Sequence, residues 1–128
     1  MHFEHVALNV ADPRAMAQWY VGNCGMRIIR AVDAPPFMRF LSDATGRVVF
    51  ELYANSKAPT PDYPSQDPLV LHVAFAVEDI AISKSRLLAA GATEISNEHL
   101  GDGTRLAMLR DPWGVALQLA QRGRPLGS

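Results

Sequence analysis

The chain has 128 residues, 48% hydrophobic and 20% charged, with a formal net charge of −1. This is globular composition, with no charge excess to draw it to nucleic acid or an acidic membrane. The single cysteine, Cys24, excludes an internal disulfide framework and fits a reducing compartment. No apolar run approaches the ~20 residues that span a bilayer, and Met1 leads into a strand pattern rather than a signal-peptide core. The expected location is therefore the cytoplasm.

Phe3–Val10 alternates, with Val6, Leu8 and Val10 on one face and His5, Ala7 and Asn9 on the other. Asp12 and Pro13 supply the cap and first residue of a helix. Met16, Trp19 and Tyr20 give it an apolar stripe, and Gly25 fits its end. Strands are expected over Met26–Val32, Phe37–Leu41 and Arg47–Tyr53, with Ala34-Pro35-Pro36 breaking the first. In the last of these Val48, Phe50 and Leu52 share one face, while Val49, Glu51 and Tyr53 share the other. A carboxylate in the middle of such an apolar strand needs a partner.

Residues 55–68 contain Pro59, Pro61, Pro64 and Pro68 and read as a linker. The same order of elements then returns. Leu69–Val77 is expected as a strand, with Leu71, Val73, Phe75 and Val77 packing a core. His72, Ala74 and Ala76 share its other face, an imidazole followed by small side chains, like the floor of a cavity. A helix capped by Asp79 runs through Ala90 and ends at Gly91, and strands follow over Ala92–Ser96, Thr104–Leu109 and Val115–Ala120. Gly101-Asp102-Gly103 and Asp111-Pro112-Trp113-Gly114 mark the turns, and the tail Arg122–Ser128 carries no element.

The repeat decides the fold. HVALNVAD at 5–12 returns as HVAFAVED at 72–79, 67 residues later. This predicts an α+β fold of two tandem βαβββ modules, 3–54 and 69–121, each a curved mixed sheet with its helix on the outer face, arranged around a cleft. Glu51 and Gln118 are also 67 residues apart, as His5 and His72 are. If the modules pair about a pseudo-twofold axis, His5, Glu51, His72 and Gln118 converge, and four such nitrogen and oxygen donors suit a divalent metal.

Each of these residues taken singly reads as structural; four in register on small-residue faces do not. Gln118 is the weak member, since a neutral amide is a poor ligand beside a carboxylate and could instead hydrogen-bond a substrate or water. His2 and His99 read as solvated, Cys24 as packing, Met16, Trp19 and Tyr20 as core, and Arg39, Arg47 and Arg105 as surface charge. No phosphate loop, G-x-S-x-G, C-x-x-C or H-E-x-x-H motif is present.

The openings HVALNVADP and HVAFAVED, the FEL at Phe50–Leu52 and the ending DPWGVALQL resemble the vicinal oxygen chelate superfamily. It includes glyoxalase I, methylmalonyl-CoA epimerase, extradiol dioxygenases, and fosfomycin and bleomycin resistance proteins. The resemblance covers about Phe3–Gln121, and it speaks to fold more than to reaction. It implies metal ligands at His5, Glu51, His72 and Gln118. Family lyases and isomerases usually carry Glu at the last of these positions, where it can act as a base. With Gln118 there, a glyoxalase-type mechanism rests on Glu51 alone or is absent. The epimerase pattern also has two His, one Glu and one Gln, but with the Gln in the first module.

The first function this implies is a metal-dependent lyase or isomerase of the glyoxalase type. In it a divalent ion (Zn, Ni, Co, Mn or Fe(II)) holds adjacent oxygens of a small substrate while Glu51 moves a proton alpha to a carbonyl. The second is an Fe(II) extradiol-type dioxygenase using His5, His72 and Glu51 as a two-His-one-carboxylate triad. The third is a non-catalytic small-molecule binding or resistance protein. A chain of only two modules favours the first over the second, and Gln118 keeps the third open. A homodimer is expected, since a module this small buries its sheet poorly alone and the family commonly pairs modules between chains. Neither nucleic acid nor membrane is expected as a partner.

Overall fold

Asp12 starts the first helix as its sequence predicts: its carboxylate accepts the Ala15 amide at 3.0 Å, and Pro13 takes the first helical position of α1 (Pro13–Cys24). In the computed structural model, which describes residues 1–128 apart from the side chain at position 49, the chain divides into two units, Met1–Pro61 and Asp62–Ser128. The first holds β1 (Val6–Asn9), α1, β2 (Arg27–Ala31), β3 (Arg39–Ser42) and β4 (Val48–Tyr53). The second holds β5 (Val73–Ala76), α2 (Ile80–Ala89), β6 (Thr93–His99), β7 (Arg105–Arg110) and β8 (Ala116–Gln121). The fold is therefore α+β, two βαβββ modules in tandem.

Each unit is a four-stranded mixed sheet, in the order β1-β4-β3-β2 and β5-β8-β7-β6. The first and last strands of each unit pair in parallel; the other pairings are antiparallel. In the first unit Leu8, Leu41, Phe50 and Leu52 are buried on the face that α1 covers with Met16, Ala17 and Tyr20. The Tyr20 and Phe50 rings meet edge to face, 5.6 Å between centroids. In the second unit Leu109, Leu117 and Leu119 are buried with Ile80 and Leu87 of α2. The face expectation for Val49 lies outside the described residues.

Two local differences from the sequence reading have physical causes. Leu69–Leu71 do not extend the strand of the second unit. The Asp67 carboxylate accepts the Leu69 amide at 2.9 Å and its carbonyl accepts the Val70 amide at 2.9 Å, so the chain turns there and β5 begins at Val73. Leu69, Val70 and Leu71 are consequently exposed rather than core. Arg39 is buried, not a surface charge. Its guanidinium donates to the carbonyls of Val32, Phe37 and Met38 and pairs with Asp33 at 2.7 Å, which closes the β2–β3 loop.

The Pro-rich segment is fastened within each unit. The Asn9 amide donates to the carbonyls of Asn55, Ala58 and Pro59. In the second unit Tyr63 is buried in a short 3-10 turn, and Arg110 donates to the carbonyls of Tyr63 and Gln66. No helix among the described residues is long and apolar enough to cross a membrane.

Gly114 turns β7 into β8 at φ 91°, and a Cβ there would collide with the Pro64 ring, lying 2.6 Å from its Cδ. Gly22, inside α1, has nothing within 4 Å of the same position. Gly114→Ala should therefore lose roughly 2–4 kcal/mol through left-handed backbone strain and overlap, and Gly22→Ala should gain about 0.5–1 kcal/mol of helix propensity. Urea unfolding followed by circular dichroism measures both; equal midpoints for the two variants would contradict the packing at Pro64.

Candidate functional site

Strand register places the site. In the first unit Ala7 pairs with Glu51, and in the second Ala74 pairs with Gln118. The interval is the same in both sheets, so the repeat seen in sequence is also a repeat of register. His5 stands two residues before Ala7, and His72 two before Ala74, each just ahead of its edge strand. Side chains two apart on an extended chain share a face. His5 and Glu51 thus meet on the face opposite Phe50 and Leu52, and His5 Nε2 lies 3.7 Å from Glu51 Oε1.

Both imidazoles are held the same way. His5 Nδ1 lies 2.9 Å from Glu4 Oε1, and His72 Nδ1 lies 2.9 Å from the Pro68 carbonyl. Each partner is an acceptor only, so Nδ1 donates to it, and Nε2 is the ring nitrogen left for other contacts. This is how an outer carboxylate or carbonyl prepares a histidine to bind a metal through Nε2. The Phe40 ring meets His5 edge-on, 5.2 Å between centroids, and confines it from the side.

The donor chemistry fits a divalent ion. Two donors about 2.1 Å from one tetrahedral ion lie about 3.4 Å apart, a few tenths of an ångström less than the His5–Glu51 separation of 3.7 Å. Each unit contributes two of the four sequence-predicted positions: His5 and Glu51 in the first, His72 and Gln118 in the second. Among the described residues no three His, Cys, Asp or Glu side chains gather into one metal-holding group. The fit is therefore to a pair of donors within the first unit.

His72 and Gln118 line one cavity of the second unit, about 300 Å³, walled by Ile95, Ser96, Leu106 and Met108. Asp67 and Glu98 line it as well. The carboxylates that hydrogen bonds hold below their usual range lie elsewhere. Asp43 is held by the Thr45 hydroxyl, Glu94 by the Asn97 amide and Asp102 by the Thr104 backbone amide.

Sequence reasoning missed Glu4, Phe40 and Met108. Glu4 adjoins His5 in sequence, and its spacing carries no signal because neighbouring side chains on an extended chain point apart. Phe40 pairs with Glu51, and Met108 pairs with Gln118. Their 68-residue interval departs from the 67 of the other pairs, which hides the equivalence. Arg47 and Arg105 are exposed, as expected, and so are His2 and His99; Cys24 is half-buried.

No curated protein matches the chain. Among solved structures, the glyoxalase family protein from Enterococcus faecalis is 25% identical with a TM-score of 0.69, over 94% of this chain and 97% of that one. Lactoylglutathione lyase from Agrobacterium tumefaciens is 18% identical with a TM-score of 0.65, over 95% and 94%. An antibiotic-binding protein from Streptomyces sp. CB03234 is 17% identical with a TM-score of 0.68, over 94% and 95%. The last two likenesses are of fold alone. With the family model matching residues 2–119, the chain belongs to the Glyoxalase/Bleomycin resistance protein/Dioxygenase superfamily.

Proposed function

We propose that this protein is a metal-dependent lyase or isomerase of the glyoxalase type, with His5, Glu51, His72 and Gln118 as ligand positions. The observation that carries the reading is the His5–Glu51 pair, 3.7 Å apart, with Nδ1 of His5 committed to Glu4. The matching register and matching Nδ1 contact of His72 support extending it to the second unit. A divalent ion bound there would supply Lewis acidity to adjacent oxygens of a small substrate. Glu51 is the one anion among the four positions, so it contributes most of the charge compensation the ion needs. It is also the one group of the four that can take a proton from carbon as a carboxylate and return it. Gln118 can only orient, through its amide oxygen and its two N–H donors.

A second reading, a small-molecule binding protein without turnover, is favoured by one observation. The second unit offers a cavity of about 300 Å³ that Ile95, Leu106 and Met108 help to line, with a neutral amide at position 118. An Fe(II) dioxygenase would draw on the same His5, His72 and Glu51. Reconstitution of metal-free protein with Ni, Co, Zn, Mn and Fe(II) separates the three. Hemithioacetal turnover with Ni, Co or Zn supports the lyase, and oxygen uptake with Fe(II) and a catechol the oxygenase. No bound metal and no turnover supports the binding protein. The cytoplasm is the proposed location, on the strength of a single half-buried Cys24.

Glu51→Gln should weaken Zn or Ni binding by about a hundredfold or more, since loss of an outer-shell partner alone costs ~10–100-fold. Gln118→Ala should cost less than tenfold, and Gln118→Glu should tighten the ion. Titration calorimetry, with circular dichroism as a fold control, measures all three. Parental affinity in Glu51→Gln would remove the metal site and leave the binding protein as the reading.

We also propose a homodimer. Val6, Ile29, Leu69, Val70, Leu71 and Ile95 are exposed apolar side chains, and β1 and β5 are edge strands that present unpaired backbone groups. Light scattering at micromolar concentration should give twice the 14.0 kDa chain mass; a monomer mass would contradict it.

A further inference from the structure

We propose that Arg30 anchors an anionic group of the ligand held at His5 and Glu51, so that the protein acts on a small acid carrying a carboxylate or phosphate. Register carries the argument. Across the first sheet, Ala7 pairs with Glu51, Glu51 with Phe40, and Phe40 with Arg30. Directly paired residues share a face, so the row that begins beside His5 ends in a guanidinium. Two strand spacings separate Arg30 from Glu51, roughly 10 Å between backbones. One small molecule can span that distance.

Arg30 reaches this row through a bulge. The β2–β3 register shifts between Ile28 and Arg30, which carries Ile29 out of the ladder and sets Arg30 opposite Phe40. The second unit has the same shift between Glu94 and Ser96, and there Ser96 pairs with Met108. Ser96 is a wall of the cavity that contains His72 and Gln118. The position equivalent to Arg30 is therefore cavity-lining where the cavity is formed. The duplication has placed a guanidinium at this position in one unit and a hydroxymethyl in the other.

The chemistry of Arg30 suits an anchor. Its Cζ lies 6.0 Å from the Phe40 ring centroid, a cation–π contact that orients the planar group without using its N–H donors. Arg39 and Arg110 have their donors engaged by backbone carbonyls. Arg30 is exposed and, among the described residues, has no carboxylate within ion-pair distance. A planar guanidinium with free paired donors takes a carboxylate or phosphate bidentately.

Turnover of such an acid rests on the metal-dependent reading; its binding at Arg30 does not, and the test separates them. In metal-free, 15N-labelled protein, 3-phenylpropionate and phenyl phosphate should each shift the Arg30 Nε–Hε resonance. Phenethylamine should not, and the stronger of the two acids identifies the anion. In zinc-loaded protein, 3-(3,4-dihydroxyphenyl)propionate should bind about tenfold tighter than catechol, the scale of one charge-assisted contact. Arg30→Gln should bring that ratio to about one. An Nε–Hε resonance that neither acid moves overturns the proposal. So does equal binding of the dihydroxy acid and catechol, because the anion would then not belong to the ligand at Glu51. If the acids shift Arg30 and neither catechol binds zinc-loaded protein, the metal reading fails and Arg30 stands as an anion site.

Discussion

The parallel pairing of first and last strands is the constraint from which both units follow. In each unit the chain leaves the first strand through a helix, returns by two antiparallel strands and lays its last strand parallel beside the first. Once it does, the side-chain period of two fixes what meets. Glu51 falls on the face of Ala7 and His5, while Phe50 and Leu52 fall on the face covered by α1. A slip of one residue would turn the carboxylate into the core and two large apolar side chains out to solvent. The cost of burying an unpaired carboxylate and exposing Phe50 and Leu52 runs to several kcal/mol. The core therefore enforces the geometry of the site: hydrophobic packing on one face holds the imidazole and carboxylate in place on the other.

This explains why the central pairs were legible in sequence. The alternation about Glu51 and Gln118, and the constant offset between the two copies, report register directly. What lay beyond the pairs was hidden by the same ladder's irregularities. The register shift after Leu41 has no counterpart in the second unit, and the interval between equivalent residues moves from 67 to 68 at Phe40 and Met108 and to 66 at Arg30 and Ser96. The rows that end in Arg30 and Ser96 cannot then be aligned by counting. Local hydrogen bonding hid the rest. LVLH has the composition of a strand, but the Asp67 carboxylate ahead of it closes a turn that propensity alone does not reveal. Arg39 reads as surface charge because nothing in its spacing announces the carbonyls of the β2–β3 loop that bury it.

The two units share a backbone and differ in the chemistry laid upon it. In one, the row across the sheet runs Glu51, Phe40, Arg30; in the other it runs Gln118, Met108, Ser96. The first row alternates anion, aromatic ring and cation. Its members constrain one another, since Phe40 is in edge contact with His5 and lies under Arg30. The second is uncharged, with a flexible thioether at its centre that adapts to the shape of what it meets. The first row thus carries fixed charges about a rigid ring, and the second an uncharged, adaptable surface.

Histidine support shows the same division. His5 is held by a carboxylate and His72 by a backbone carbonyl, both through Nδ1 at 2.9 Å. Either partner fixes the tautomer. Only the carboxylate adds negative charge. His5 thus lies between two carboxylates, Glu4 and Glu51. Glu4, His5 and Glu51 all stand in the first unit, whereas position 118 of the second is a neutral amide, so the duplicated backbone carries its charge on one side only.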